Sequence, residues 1–211
     1  SLEGFKTLKL NLKKPLSFGP SDPCLKYSKN KQKKKELEYT VEGKTANSKC
    51  TEITISDTKK NVKMISRGAF QDNQLLKSVI ILNSVLVEIG PLAFKDCTSL
   101  VSIKIPDNVI NININAFDGC TSLVNIIIPK GVTSIKDYAF RNCSSLTKIN
   151  IPKGVETIFK AAFMGCSKLA RIELEDGSIL KSIKGSEDGM SSCPDDLKEK
   201  DYQKKKDYQK N

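Results

Sequence analysis

The stretch that decides the fold is VSIKIPDNVINININAFDGCTSL, residues 101–123, because the next 23 residues repeat its plan as VNIIIPKGVTSIKDYAFRNCSSL. An Ala-Phe pair marks the same point in five successive units, at steps of 24, 23, 23 and 23 residues: Ala69-Phe70, Ala93-Phe94, Ala116-Phe117, Ala139-Phe140 and Ala162-Phe163. A nearly fixed step of this length is typical of a solenoid, in which each unit packs only on its neighbours.

The residues around each Ala-Phe pair predict how one coil is built. Two isoleucines separated by one residue, such as Ile103 and Ile105, predict a short strand with both side chains on one face. Pro106 then ends strand pairing, because proline has no donor for the ladder. Between Ile112 and Leu123 the apolar residues lie three to five positions apart, which favours a helical or 3₁₀ turn. The repeat therefore predicts a parallel sheet on one face and short helical turns opposite.

The repeat over residues 53–193 resembles the BspA-like type of leucine-rich repeat, in the unit Ile-x-Ile-Pro-x-x-Val-x-x-Ile-x-x-x-Ala-Phe-x-x-Cys-x-x-Leu. The resemblance implies an α/β leucine-rich-repeat solenoid of about six coils. The end units depart from the pattern, with Asn73 in place of the first cysteine and Gly189-Met190 in place of the last Ala-Phe, as capping units often do. We expect residues 1–52 to form an N-terminal cap with a basic loop, and residues 194–211 to be a low-complexity, disordered tail.

The composition argues against catalysis. The chain has 211 residues, a formal net charge of +11, and neither histidine nor tryptophan. Without histidine the common Ser-His-Asp and Cys-His nucleophile systems are excluded, as are zinc sites with histidine ligands. We expect no enzyme activity, no cofactor and no metal. No apolar run reaches the roughly 18–20 residues of a membrane-spanning helix, so no such helix is predicted.

Four cysteines share one position in the repeat: Cys97, Cys120, Cys143 and Cys166. In neighbouring coils they would lie about 4.7–4.9 Å apart, farther than the roughly 3.5–4.5 Å between the Cβ atoms of a disulfide. We predict a structural ladder of buried thiols that act as small hydrophobic side chains, with a redox chain or a metal site as the alternative. Cys24 and Cys50 lie outside this ladder, and a disulfide between them and a pair of free thiols fit the sequence equally well.

The outward positions of the predicted strands form a candidate binding surface. The residues between the inward pairs are Thr54, Ile81, Lys104, Ile127, Asn150 and Glu173, and the residues before the pairs are Ser102, Asn125, Lys148 and Arg171. Isoleucines beside charged and amide side chains suit contact with a protein partner. Alternatively, these positions vary without function, because the repeat does not constrain them.

A second candidate lies in the predicted cap, where lysines cluster between positions 29 and 35: Lys29, Lys31, Lys33, Lys34 and Lys35. Such a run attracts glycans or other polyanions, although an exposed, solvated loop has the same composition. Because no aromatic residues are interleaved with these lysines, we do not expect a sequence-specific reader of nucleic acid.

The resemblance also bears on function. Proteins with BspA-like repeats are often surface proteins linked to adhesion, so it implies a non-catalytic, cell-surface or secreted module that contacts host or matrix proteins through the sheet. The residues alone indicate only a scaffold suited to binding. A cytoplasmic protein-protein interaction scaffold is the alternative, and it predicts seven reduced thiols.

Overall fold

The computed structural model describes residues 26–29, 38–43, 50–55, 61–82 and 85–183. They form a solenoid of about five turns, with strands on two sides of one core. The strands are β1 (Lys26–Lys29), β2 (Glu38–Gly43), β3 (Glu52–Ile55), β4 (Asn61–Ile65), β5 (Ser78–Ile81), β6 (Glu88–Ile89), β7 (Ser102–Lys104), β8 (Asn111–Ile112), β9 (Ser134–Ile135), β10 (Lys148–Ile151), β11 (Thr157–Ile158), β12 (Arg171–Leu174) and β13 (Ser182–Ile183).

The first sheet is the one that the isoleucine pairs predict. Strands β3, β5 and β7 pair in parallel, and so do β10 and β12. Between these two groups, residues 125–127 are joined to the neighbouring coils by the bridges Ser102–Asn125 and Ile127–Asn150. Inward residues such as Ile103 and Ile105 are buried while Lys104 between them is exposed, so the alternation predicted for this strand is confirmed.

The prediction of helical turns opposite this sheet was wrong. The described residues contain no helix, and the segments opposite form a second sheet in the order β1-β2-β4-β6-β8-β9-β11-β13. Each coil from β6 onward contributes only two residues to it, such as Asn111 and Ile112 of β8. A strand of two residues is too short to show a period of two, so its buried isoleucine had suggested the spacing of a helix.

The turns that carry the Ala-Phe pairs also differ from a helix. Each holds two residues with positive φ, one before the alanine and one after the phenylalanine, for example Leu92 at 60° and Asp96 at 57°. A left-handed residue interrupts a right-handed helix, so the amides of each turn donate alternately within the turn and to the next coil. The Ala93 amide donates to Gly90 O at 3.2 Å, and the Phe94 amide donates to Ala116 O of the next coil at 2.8 Å.

The phenylalanines form one continuous stack through the core. Neighbouring ring centroids are 5.0, 5.3, 5.5 and 5.6 Å apart from Phe70 to Phe163, and neighbouring ring planes are within 9° of parallel. Phe94, Phe117 and Phe140 are fully buried. This row confirms that equivalent residues of successive coils pack on one another, which is the central prediction of the repeat.

The ladder thiols lie beside the phenylalanine stack, are buried and are not disulfide-bonded. Each Sγ donates a hydrogen bond to the phenylalanine carbonyl of the preceding coil, for example Cys97 to Phe70 O at 3.0 Å and Cys120 to Phe94 O at 3.1 Å. Burial raises the pKa of Cys120 and Cys143 well above the usual range of a thiol. Each cysteine therefore fills a core position and also links two coils.

The first coil, which precedes the cysteine ladder, has no thiol at this position. Asn73 takes the cysteine position, is buried, and its Nδ2 has no hydrogen-bond partner in the described part of the chain. Its Oδ1 accepts from the Leu75 amide at 3.2 Å. Cys50, which packs against the same end of the core, is disulfide-bonded. Its predicted partner Cys24 lies outside the described residues, so the pairing of these two cysteines stays a prediction.

One buried ion pair stabilises the middle turns. The Asp118 side chain is 2% exposed and accepts two hydrogen bonds from the Arg141 guanidinium of the next coil, at 2.9 and 2.6 Å. Asn115 Nδ2 donates a third, at 2.9 Å. The guanidinium also lies 4.8 Å over the ring of Tyr138. The carboxylate is thus satisfied on both oxygens, which burial of a charge requires.

Candidate functional site

The outer surface of the first sheet, called the sheet face below, consists of three columns with one residue from each coil. The column between the inward residues contains Thr54, Ile80, Lys104, Ile127, Asn150 and Glu173. The column before them contains Glu52, Ser78, Ser102, Asn125, Lys148 and Arg171. The third column lies one residue before the second along each coil, and backbone hydrogen bonds join its members from coil to coil. It contains Lys77, Val101, Val124, Thr147 and Ala170.

Nine of the ten residues proposed from the sequence lie on this face, and Ile81 does not. Ile81 is 2% exposed and faces the core, whereas Ile80 pairs with Lys104 and takes the outward position. The step between Phe70 and Phe94 is 24 residues, so a count of 23 back from Lys104 lands one residue too far along. Because Val79, Ile80 and Ile81 are all apolar, hydrophobic alternation did not expose the error.

An apolar patch lies near the middle of the sheet face. Ile127 is 74% exposed, more than any other large hydrophobic residue in the described part of the chain. Val101 and Val124, in the third column, are 48% and 37% exposed, and the column of Ser102 and Asn125 lies between them and Ile127. Leu75 and Leu82, which lie before and after β5, are exposed as well. Exposed apolar side chains grouped on one face are typical of an interaction site.

Cations surround this patch. Lys77 lies one coil before Val101, Lys104 shares the coil of Val101, and Lys148 and Arg171 lie one and two coils after Ile127. All four are exposed. Lys148 and Arg171 are register partners on adjacent strands, and like charges in such positions repel each other. Arg171 is paired with Glu173 at 3.2 Å, whereas Lys77, Lys104 and Lys148 form no ion pair within the described residues.

Sequence reasoning missed the apolar column that includes Val101 and Val124. The available signal was the residue directly after the repeat leucine, which is valine in these two coils and is never buried in any coil from Lys77 to Ala170. That residue lies at the bend that enters the strand, and strict alternation within the strand does not reach it. The partner-binding role of the whole set stays a prediction.

The remaining candidates lie elsewhere. Lys29 is the last residue of β1. Lys31, Lys33, Lys34 and Lys35 fall outside the described residues, so their contact with polyanions stays a prediction. Among the described residues, no helix is long and apolar enough to cross a bilayer. In the same part of the chain, no cluster of three or more cysteine or acidic side chains could hold a metal ion.

The second sheet provides an internal comparison for the sheet face. Ile110 and Ile114, beside β8, are 48% and 45% exposed. Their coil is the one that also presents Val101 and Lys104 on the sheet face. Ile127, on the sheet face, belongs to the next coil. Exposed isoleucines therefore occur on opposite sides of two adjacent coils, which allows the two surfaces to be tested with the same substitution.

The repeat, the sheets and the phenylalanine stack define a leucine-rich-repeat solenoid, and the sequence identifies its type. The model of the BspA type leucine rich repeat region matches six copies, over residues 27–100 and 87–187. The chain belongs to this family. No curated protein matches the sequence significantly.

Solved structures of bacterial leucine-rich-repeat proteins share the fold. A leucine-rich cell surface protein from Faecalibacterium prausnitzii A2-165 superposes with a TM-score of 0.66 at 29% identity, over 75% of this chain and 41% of its own. A Bacteroides ovatus leucine-rich-repeat protein gives 0.60 at 29%, over 74% and 45%. The T. pallidum leucine-rich-repeat protein gives 0.70 at 23%, over 90% and 94%. This chain thus spans less than half of the first two proteins.

Proposed function

We propose that this protein is a non-catalytic binding module that acts at a cell surface or after secretion, and that it holds a protein partner on its sheet face. The observation that carries the proposal is the exposed patch of Val101, Val124 and Ile127 within a rim of lysines. An apolar centre with a polar rim is the usual anatomy of a protein-protein interface. Because the solenoid holds this face on a rigid sheet, little ordering is needed on binding.

Two further observations support the proposed location. The F. prausnitzii protein that superposes on this chain is described as a cell surface protein. Cys50 is disulfide-bonded, and disulfides persist in oxidising environments such as the cell exterior. The cytoplasmic scaffold is the weaker candidate, since it requires reduced thiols.

A pair of isoleucine substitutions tests the proposed function. Ile127→Asp places a charge in the centre of the patch, and Ile110→Asp places the same charge on the opposite side of the solenoid. Biotinylated wild type and both variants would be measured for binding to immobilised mammalian extracellular-matrix proteins and to cultured epithelial cells. We expect Ile127→Asp to lose binding by about tenfold or more, as loss of an interface anchor does, and Ile110→Asp to retain it.

The opposite results would reject the proposal. If both variants bind as the wild type does, the sheet face is not the contact surface. If both lose binding equally, the effect is general rather than local. Circular dichroism and a urea unfolding curve for each variant show that both are folded, because an exposed substitution should leave stability within about 0.5 kcal/mol.

A further inference from the structure

We propose that the partner bound by the sheet face is an acidic polypeptide segment, in which apolar residues are flanked on both sides by aspartate or glutamate. This inference rests on the proposed function and adds the chemistry of the partner. The segment would lie along the stack, with its apolar side chains on Ile127 and its carboxylates beside the surrounding lysines.

The distribution of charge on the sheet face carries the inference. From the coil of Lys77 to that of Arg171, the face holds four cations and a single carboxylate, Glu173, which is already engaged by Arg171. Glu52, the other acid of the three columns, lies one coil before this group. Lys77 lies one coil before the apolar residues, and Lys148 and Arg171 lie one and two coils after them. Lys104 lies in the column of Ile127, one coil before it. Cations thus occur on both sides of Ile127 along the stack, so the complementary segment is apolar in its middle and acidic at both ends.

The pairing of Lys148 with Arg171 gives the second argument. Two cations in register on adjacent parallel strands reduce the stability of the solenoid, and a solvated polar residue at either position would avoid this cost. A carboxylate placed between them would relieve the repulsion. Lys104 has Ile80 as its register partner on one side, and Lys104 and Lys148 carry no compensating acid within the described residues.

The dimensions of the face favour an extended segment. Four strand spacings separate the coil of Lys77 from that of Arg171, which is about 19 Å at the usual spacing between strands. An extended chain of about six residues has this length. One or two apolar residues over Ile127, with two acidic residues on each side, therefore match both the charge and the length.

The test uses a fluorescein-labelled synthetic peptide, Gly-Glu-Asp-Leu-Val-Asp-Glu-Gly, and the full chain. Three comparison probes are the same peptide with every acid replaced by lysine, the same peptide with Leu-Val replaced by Ser-Ser, and heparin. Fluorescence anisotropy gives the affinity of each peptide, and heparin is added as a competitor. We expect the acidic-apolar peptide to bind more tightly than either altered peptide, and salt to weaken its binding.

Charge reversal in the protein locates the site. The double variant Lys104→Glu/Lys148→Glu should bind the acidic-apolar peptide about tenfold more weakly or worse, and it should gain affinity for the lysine peptide. The matched control Arg67→Glu/Lys160→Glu changes the net charge equally at two exposed positions on the turns that follow the second sheet. It should leave both affinities unchanged.

Several results would overturn the inference. Equal binding of the acidic and the lysine peptides would show that the sheet face does not select its partner by charge. Equal binding of the Ser-Ser peptide, or complete displacement by heparin at equal charge concentration, would show attraction to any polyanion. If Ile127→Asp abolishes binding to matrix proteins or cells while these peptides show no preference, the inference fails and the proposed function stands. If Ile127→Asp also has no effect there, both fail.

Discussion

The interior of the solenoid and its sheet face follow opposite rules. Inside, the second to fifth coils have alanine, phenylalanine, cysteine and leucine at the same positions, and the phenylalanine rings stack at 5.0–5.6 Å. On the sheet face, the central column changes from threonine to isoleucine, lysine, asparagine and glutamate. Packing between coils determines the interior residues, because each side chain must fit against the equivalent side chain of the next coil. Packing between coils does not determine the residues of the sheet face, so their identities can be adapted to binding a partner.

The largest effect should come from the centre of the stack. Phe117→Ala removes the ring between Phe94 and Phe140 and leaves a cavity that two neighbouring coils must share. We expect a loss of about 3–5 kcal/mol in the free energy of unfolding, measured by urea titration. Ile127→Ala, on the sheet face, should cost less than about 0.5 kcal/mol. Equal losses at the two positions would contradict the contrast between interior and face.

The next effect should come from the buried ion pair. Arg141→Met removes both hydrogen bonds from the guanidinium and leaves Asp118 buried and without its cation. We expect a loss of about 3 kcal/mol, because an unpaired buried charge is costly. Replacing Asp118 by Leu in the same variant should recover part of this loss. If the double variant is less stable than Arg141→Met, the ion pair is not the cause.

The third effect is gradual and depends on pH. Burial raises the pKa of Cys120 and Cys143, so the folded protein keeps these protons at a pH at which unfolded thiols, with a pKa of about 8.5, lose them. Their stabilising contribution is complete below that pKa and decreases as pH rises above it. Each thiol should lower the free energy of unfolding by about 1.4 kcal/mol per pH unit well above pH 8.5.

Unfolding curves in urea at several values of pH above 8.5 measure this slope. The variant Cys120→Ala/Cys143→Ala provides the control: it should be less stable at neutral pH but lose stability less steeply as the pH rises. Parallel slopes for the variant and the wild type would mean that other groups titrate instead.

The sequence predicted the packing of the core better than the secondary structure around it. Phe94, Phe117 and Cys120 recur in one register because neighbouring coils fix their size, so their stacking could be read directly. The second sheet was missed because its two-residue strands, such as Ser134–Ile135, carry at most one buried side chain each. Such a strand depends on its neighbours for pairing rather than on a pattern of its own.

The candidate site was predicted in part for a similar reason. Lys104 and Ile127 are separated by a coil of 23 residues, so a fixed count placed them correctly relative to each other. Ile81 was misplaced because one coil has 24 residues, and the added residue shifts the strand by one position and reverses its faces.

The central claim is that the partner sits on the sheet face, and crosslinking from that face tests it most directly. The photoreactive residue benzoylphenylalanine would replace Ile127 in one variant and Ile110 in another, and each would be irradiated on epithelial cells or matrix proteins. We expect a discrete crosslinked product from position 127 and none from position 110. A product from position 110 alone, or equal yields of the same product from both positions, would contradict it.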